Sequence, residues 1–131
     1  IKPILEEINS FLDEHKFEVL ILDFQKIYGL TDEEHNLFLS MVLRVFDGKL
    51  CPIAVDQSEL TLDYMHRKGF QVIVVYPGIR QPYLWPRVLC PNPWPNTMNV
   101  NYLMDFLTKG LTFRNNNVLF VSQGIMTPQV S

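Results

Sequence analysis

Residues 17–24, FEVLILDF, and residues 70–76, FQVIVVY, decide the architecture. Each is a short, nearly continuous apolar run. A strand that is apolar on both faces is the mark of a buried parallel sheet, because a half-exposed antiparallel strand would alternate. Residues 117–123, NVLFVSQ, give a third run of the same kind.

Helical patterns fill the space between these runs. In residues 3–15, PILEEINSFLDEH, Pro3 suits a first helical position and Glu6 and Glu7 suit the positive end of the helix dipole. Ile4, Leu5, Ile8, Phe11 and Leu12 then fall at helical spacing. Thr31 followed by Glu34 forms a capping box, Leu37, Phe38, Met41, Val42 and Val45 give that helix one stripe, and Gly48 is its expected stop. Residues 51–57, CPIAVDQ, read as a loop with some extended character. Ser58–Lys68 reads as a short helix ended by Gly69, and Asn96–Lys109 as another, capped by Asn96 or Thr97. Helices alternating with buried strands imply a parallel sheet with right-handed crossovers, either open or part of an eight-stranded barrel.

The chain has 131 residues, 47% of them hydrophobic and 19% charged, which is enough for one packed core and too apolar for disorder. A net charge of −3 argues against nucleic acid as a partner. Cys51 and Cys90 make no disulfide framework, so a reducing cytoplasm fits. The longest apolar run, Val72–Val75, falls far short of the ~20 residues that span a bilayer. The chain opens at Ile1 rather than at a methionine, and both ends read as cuts in a longer domain.

In either closure, ligands bind beyond the carboxyl ends of the strands. Those ends carry Asp23, Gln25 and Lys26 after the first run, Tyr76 after the second and Gln123 after the third. A carboxylate that follows four apolar residues, as Asp23 does, needs a cation, a metal or several donors. His15, His35 and His66 all fall on helices and read as solvated or dipole-paired residues. The stretch from Pro77 to Pro95 holds six of the nine prolines together with Tyr83, Trp85 and Trp94. Its aromatics either pin the loop or form a rim facing a membrane interface, with Arg80 and Arg87 beside it. No glycine-rich phosphate loop, nucleophile elbow or metal-ligand spacing is present.

The run Glu18–Thr31, with LDFQ at residues 22–25, resembles the phosphatidylinositol-specific phospholipase C X-domain-containing proteins. The resemblance continues through Gln71–Tyr76, Leu84–Pro86, Pro93–Thr97, Phe120–Gln123 and Met126–Pro128. It implies the central part of a TIM-like (β/α) barrel, incomplete at both ends, with parallel strands at about 17–24, 70–76 and 117–123. It also implies hydrolysis of the phosphodiester between inositol phosphate and diacylglycerol, with one histidine as base, a second as acid and an arginine on the phosphate.

In that family the histidines come from SHD and HG motifs upstream of the LDFQ strand. No His-Asp or His-Gly pair occurs here, so the resemblance places no catalytic residue in these 131 residues, and the stretch alone is expected to be inactive. Lys26 departs from the histidine that relatives often carry after LDFQ. Asp23, Gln25, Lys26, Tyr76 and Gln123 would line the barrel mouth, with Tyr83, Trp85 and Trp94 toward a membrane. No cofactor is expected, and no metal: Ca²⁺, used by some phospholipases C, wants six to eight oxygens where Asp23 is the one strand-end acid. The expected partners are a phosphoinositide headgroup and a peripheral membrane surface. The competing expectation is a non-catalytic lipid-headgroup or protein-binding barrel of the same family.

Overall fold

The structure is a computed structural model and describes residues 1–53, 56 and 58–130. The chain divides into two compact units, Ile1–Pro86 and Arg87–Ser131.

The first unit contains helix α1 (Lys2–Glu14), strand β1 (Leu20–Asp23), helix α2 (Asp32–Val45), helix α3 (Leu62–Lys68), strand β2 (Val72–Val75) and strand β3 (Leu84–Trp85). The strands form a parallel sheet in the order β1-β2-β3. Leu20 lies opposite Val72 and Asp23 opposite Val75, while Val75 lies opposite Trp85. A parallel bridge from Leu50 to Val72 extends the second edge of β2 below β3. All four β2 residues are buried, as a run apolar on both faces requires.

One face of the sheet meets the helices. Leu20, Leu22, Val72, Val74, Tyr76 and Leu84 pack there with Leu5, Leu12, Leu39, Val42 and Phe46. By strand alternation, Ile21, Asp23, Ile73, Val75 and Trp85 belong to the other face. The end of α1 is fastened to the sheet by Gln71, a buried polar residue whose Nε2 donates to the carbonyls of Leu12 (3.1 Å), His15 (2.9 Å) and Glu18 (3.2 Å). Those carbonyls include groups that a helix end leaves without internal partners.

Local signals set the helix boundaries. The Thr31/Glu34 capping box is formed in both directions, with the Thr31 amide donating to Glu34 Oε2 at 2.7 Å. Helix α3 is shorter than the expected Ser58–Lys68, because Thr61 rather than Ser58 caps it and Ser58 instead bonds Asp56. Gly69 ends α3 at φ +74°, the left-handed conformation that favours glycine. Of the expected loop at 51–57, residues 54, 55 and 57 lie outside the described residues.

The second unit contains a 3₁₀ turn (Arg87–Leu89) and helix α4 (Val100–Phe113), which is capped by Asn99 rather than by Asn96 or Thr97. The expected third strand at 117–123 does not form; the third strand is β3, inside the proline-rich stretch. The reason lies in the neighbouring segment. The amides of Leu119, Val121 and Thr127 donate to the carbonyls of Leu89, Pro91 and Thr97 at 2.9–3.0 Å, so two extended segments run side by side in one direction. In a parallel ladder the return bonds, to the carbonyls of Leu119 and Val121, would come from the amides of residues 91 and 93. Both are proline and have no N–H, so half the ladder is missing.

Candidate functional site

The carboxyl ends of β1 and β2 open onto two clefts in the first unit. The first, about 470 Å³, is lined by polar groups from the start of α2 (Asp32, His35, Asn36) and by the turn after β2 from Tyr76 to Arg80. The second, about 420 Å³, is lined by Phe24, Ile27 and Tyr28 after β1, with Lys26 among them. His35, Tyr76 and Pro77 line both.

The wall between the clefts is a side-chain pair. His35 is the fourth residue of α2, where its amide closes the first helical bond to Thr31 (2.9 Å). Its Nδ1 meets the hydroxyl of Tyr76 in a hydrogen bond across 41 residues of sequence. The two rings lie edge to face at 5.9 Å, and Tyr76 also packs against Phe24 and Phe38. Tyr76 is buried, and desolvation pushes its hydroxyl above the ordinary tyrosine range, so it is a neutral phenol near neutral pH. When that phenol donates to Nδ1, the imidazole carries its own proton on Nε2. A histidine expected to be a solvated helix residue is therefore half-buried and tied to the end of the central strand. The sequence held no local signal of this, because the contact is made by the fold.

The other expected site residues scatter. Asp23 ends β1, partly exposed, on the sheet face opposite the one from which Tyr76 packs against the helices. Gln25 and Lys26 follow it and are exposed. Gln123 belongs to the second unit, where its side-chain amide donates to the Asn92 carbonyl. Trp85 is not on a rim: it is fully buried, with Nε1 donating to the Cys51 carbonyl at 2.9 Å. An apolar ring closing the edge of a sheet fits that position better than a membrane anchor does. Tyr83 and Trp94 are both partly exposed, and Trp94 Nε1 donates to Thr127 Oγ1.

His15 and His66 bond the carbonyls of Phe11 and Phe17 and stay at the ends of their helices. Burial pushes the Cys51 thiol up to about 11, so it is an inert core group rather than a nucleophile. Among the described residues, no group of three or more His, Cys, Asp or Glu side chains is placed to hold a metal. Among the same residues, no helix is long and apolar enough to cross a membrane.

The chain is similar over nearly its whole length to curated proteins. PI-PLC X domain-containing protein 3 of Mus musculus is 37% identical over 131 residues, which cover 97% of this chain and 40% of that protein. PI-PLC X domain-containing protein 2 of Homo sapiens is 39% identical over 130 residues, covering 96% of this chain and 42% of that protein. PI-PLC X domain-containing protein 1 of Danio rerio is 28% identical over 110 residues, covering 82% of this chain and 34% of that protein. The chain thus spans about 40% of the length of the first of these relatives. No family model matches the chain, and no solved structure does.

Proposed function

We propose, from the premise that this chain is a homologue of the PI-PLC X domain-containing proteins, that it is part of the (β/α) barrel of a phosphoric diester hydrolase. The substrate of the whole protein would be a phosphoinositide or related phospholipid, cleaved between inositol phosphate and diacylglycerol. The observation that carries the reading is homology across nearly the whole chain, 97% of it in the mouse relative. The parallel order β1-β2-β3, with helices packed on one face, supports the barrel.

In that barrel the face holding Ile21, Asp23, Ile73, Val75 and Trp85 would be the interior, and Asp23 would stand at its mouth to accept a hydrogen bond from a headgroup hydroxyl. Gln25 and Lys26, exposed just after β1, would contribute beside it, with Tyr83 toward the membrane. The acid and base would be histidines outside these 131 residues, since no His-Asp or His-Gly pair occurs within them. Each is worth roughly 10²–10⁴-fold in rate.

The test is inositol phosphate release from phosphatidylinositol vesicles by the full-length protein and by its Asp23→Ala variant. The expected result is turnover by the wild type and a loss of at least about tenfold in the variant, the scale of one hydrogen bond to a charged group. Vesicle binding without turnover would replace the hydrolase by a headgroup-binding barrel. Unchanged turnover in the variant would remove Asp23 from the site.

A further inference from the structure

The two clefts astride His35 and Tyr76 differ in chemistry. The first presents Asp32, Asn36 and Arg80, side chains that both donate and accept hydrogen bonds. The second presents Phe24, Ile27 and Tyr28, a mainly hydrocarbon and aromatic lining. Lys26 also lines it but is exposed, and a lysine can lay its stem along apolar surface while its ammonium stays in water. Each cleft lies within the ~300–1,000 Å³ of small-molecule sites, and they share one wall.

The charges narrow the class of ligand. Arg80 is offset by Asp32 within the same cleft, and Glu33 and Glu34 follow in the same helical turn. A phosphate or carboxylate placed there would meet Asp32 as well as Arg80. The acidic first turn also counters the attraction of the helix N-terminus for anions. A head that is neutral and bears hydroxyls can use the guanidinium, amide, imidazole and carboxylate together.

We propose that the paired clefts form one binding site for a neutral single-chain amphiphile. The hydroxyl-bearing head would sit among Asp32, Asn36 and Arg80, and the alkyl chain along Phe24, Ile27 and Tyr28. The His35–Tyr76 pair is the waist between head and chain. The site lies on the helix-facing side of the strand ends, where Tyr76 packs, and not on the face of Asp23. It does not depend on the hydrolase reading.

Isothermal titration calorimetry of the full-length protein with 1-O-hexylglycerol tests this, beside hexanoate, which has an anionic head, and glycerol, which has no chain. Saturable binding of hexylglycerol is expected, at least tenfold tighter than that of hexanoate, with no heat from glycerol. Arg80→Ala and Tyr28→Ala alter exposed side chains, one in each cleft, and each should weaken hexylglycerol at least fivefold with unchanged circular dichroism. Asn36→Ala, also exposed, stands in for either variant whose circular dichroism changes. Absence of saturable hexylglycerol binding, equal affinity for hexanoate, or full affinity in the folded variants would overturn the proposal. Loss of hydrolysis in Asp23→Ala would leave every one of these readings in place.

Discussion

In residues 1–86 the central strand is hydrogen-bonded along both edges, and its side chains disappear between helices and neighbouring strands. In residues 87–131 two extended segments touch through amides that all point one way, and among the described residues Cys90, Pro95 and Leu103 are the buried ones. Both regions are rich in apolar residues, so composition is not what separates them. Strand formation depends on what the neighbour can donate. Residues 117–123 hold a continuous apolar run, Val118 to Val121, but their neighbour carries Pro91, Pro93 and Pro95. Helix α4 fits the same contrast: it buries Leu103 while Val100, Met104 and Leu111 on one flank, and Tyr102 and Phe113 on the other, stay exposed.

The two tryptophans give the sharpest way to break this contrast. Trp85→Ala should cost about 3–5 kcal/mol, because it empties a fully buried site and orphans the Cys51 carbonyl. Trp94→Ala should cost about 1 kcal/mol or less, since the ring is 54% exposed. Urea midpoints of the two variants measure the difference, and equal shifts would erase it.

Next in size is Gln71→Met, which keeps the bulk but removes the donor to three carbonyls at the end of α1. A loss of about 1–3 kcal/mol is expected, together with faster amide exchange in residues 15–18.

The two units should also respond to pH in opposite directions. The Thr31 amide and hydroxyl hold Glu34 below the usual carboxylate range, and the bond from Lys49 does the same for Asp13. A carboxyl with a depressed folded pKa contributes stability that is complete above its unfolded value and lost as pH falls through the folded one. The first unit should therefore weaken below about pH 4. In the second unit the hydrogen bond that the Lys109 ammonium donates to Asp105 raises Lys109 above the usual lysine range. That contribution is complete below the unfolded value of about 10.4 and lost as pH rises through the folded one. Helix signals followed by residue-resolved NMR across both limits would show whether the responses separate this way.

The smallest and most specific change is the double substitution Pro91→Ala, Pro93→Ala. It supplies the two missing N–H groups, so the carbonyls of Leu119 and Val121 should gain partners and the exchange of the Leu119 and Val121 amides should slow by about tenfold. No slowing would mean that something other than the missing donors keeps the run from becoming a strand.

What was legible in the sequence follows the same division. The α2 start was readable because Thr31, Glu34 and the following stripe act within one turn of chain. Both long strands of the sheet were readable from their own side chains, to within about three residues at each end. Strand β3 was not, since two residues inside a proline-rich stretch carry no period. The absence of a strand at 117–123 was invisible to periodicity, which takes no account of a partner's amides. The His35–Tyr76 wall was hidden for a similar reason: each residue is ordinary in its own segment, and the contact exists only once β2 lies beside α2. Asp23, in contrast, was placed at a strand end by its position after an apolar run, and it stands there.

The alternating prolines have one more effect. On the edge that faces residues 117–123 the segment offers carbonyls without amides, so an extended strand taking the place of those residues would find half the usual grip. The same residues that deny the third strand its regular form also make that edge a poor template for strand exchange.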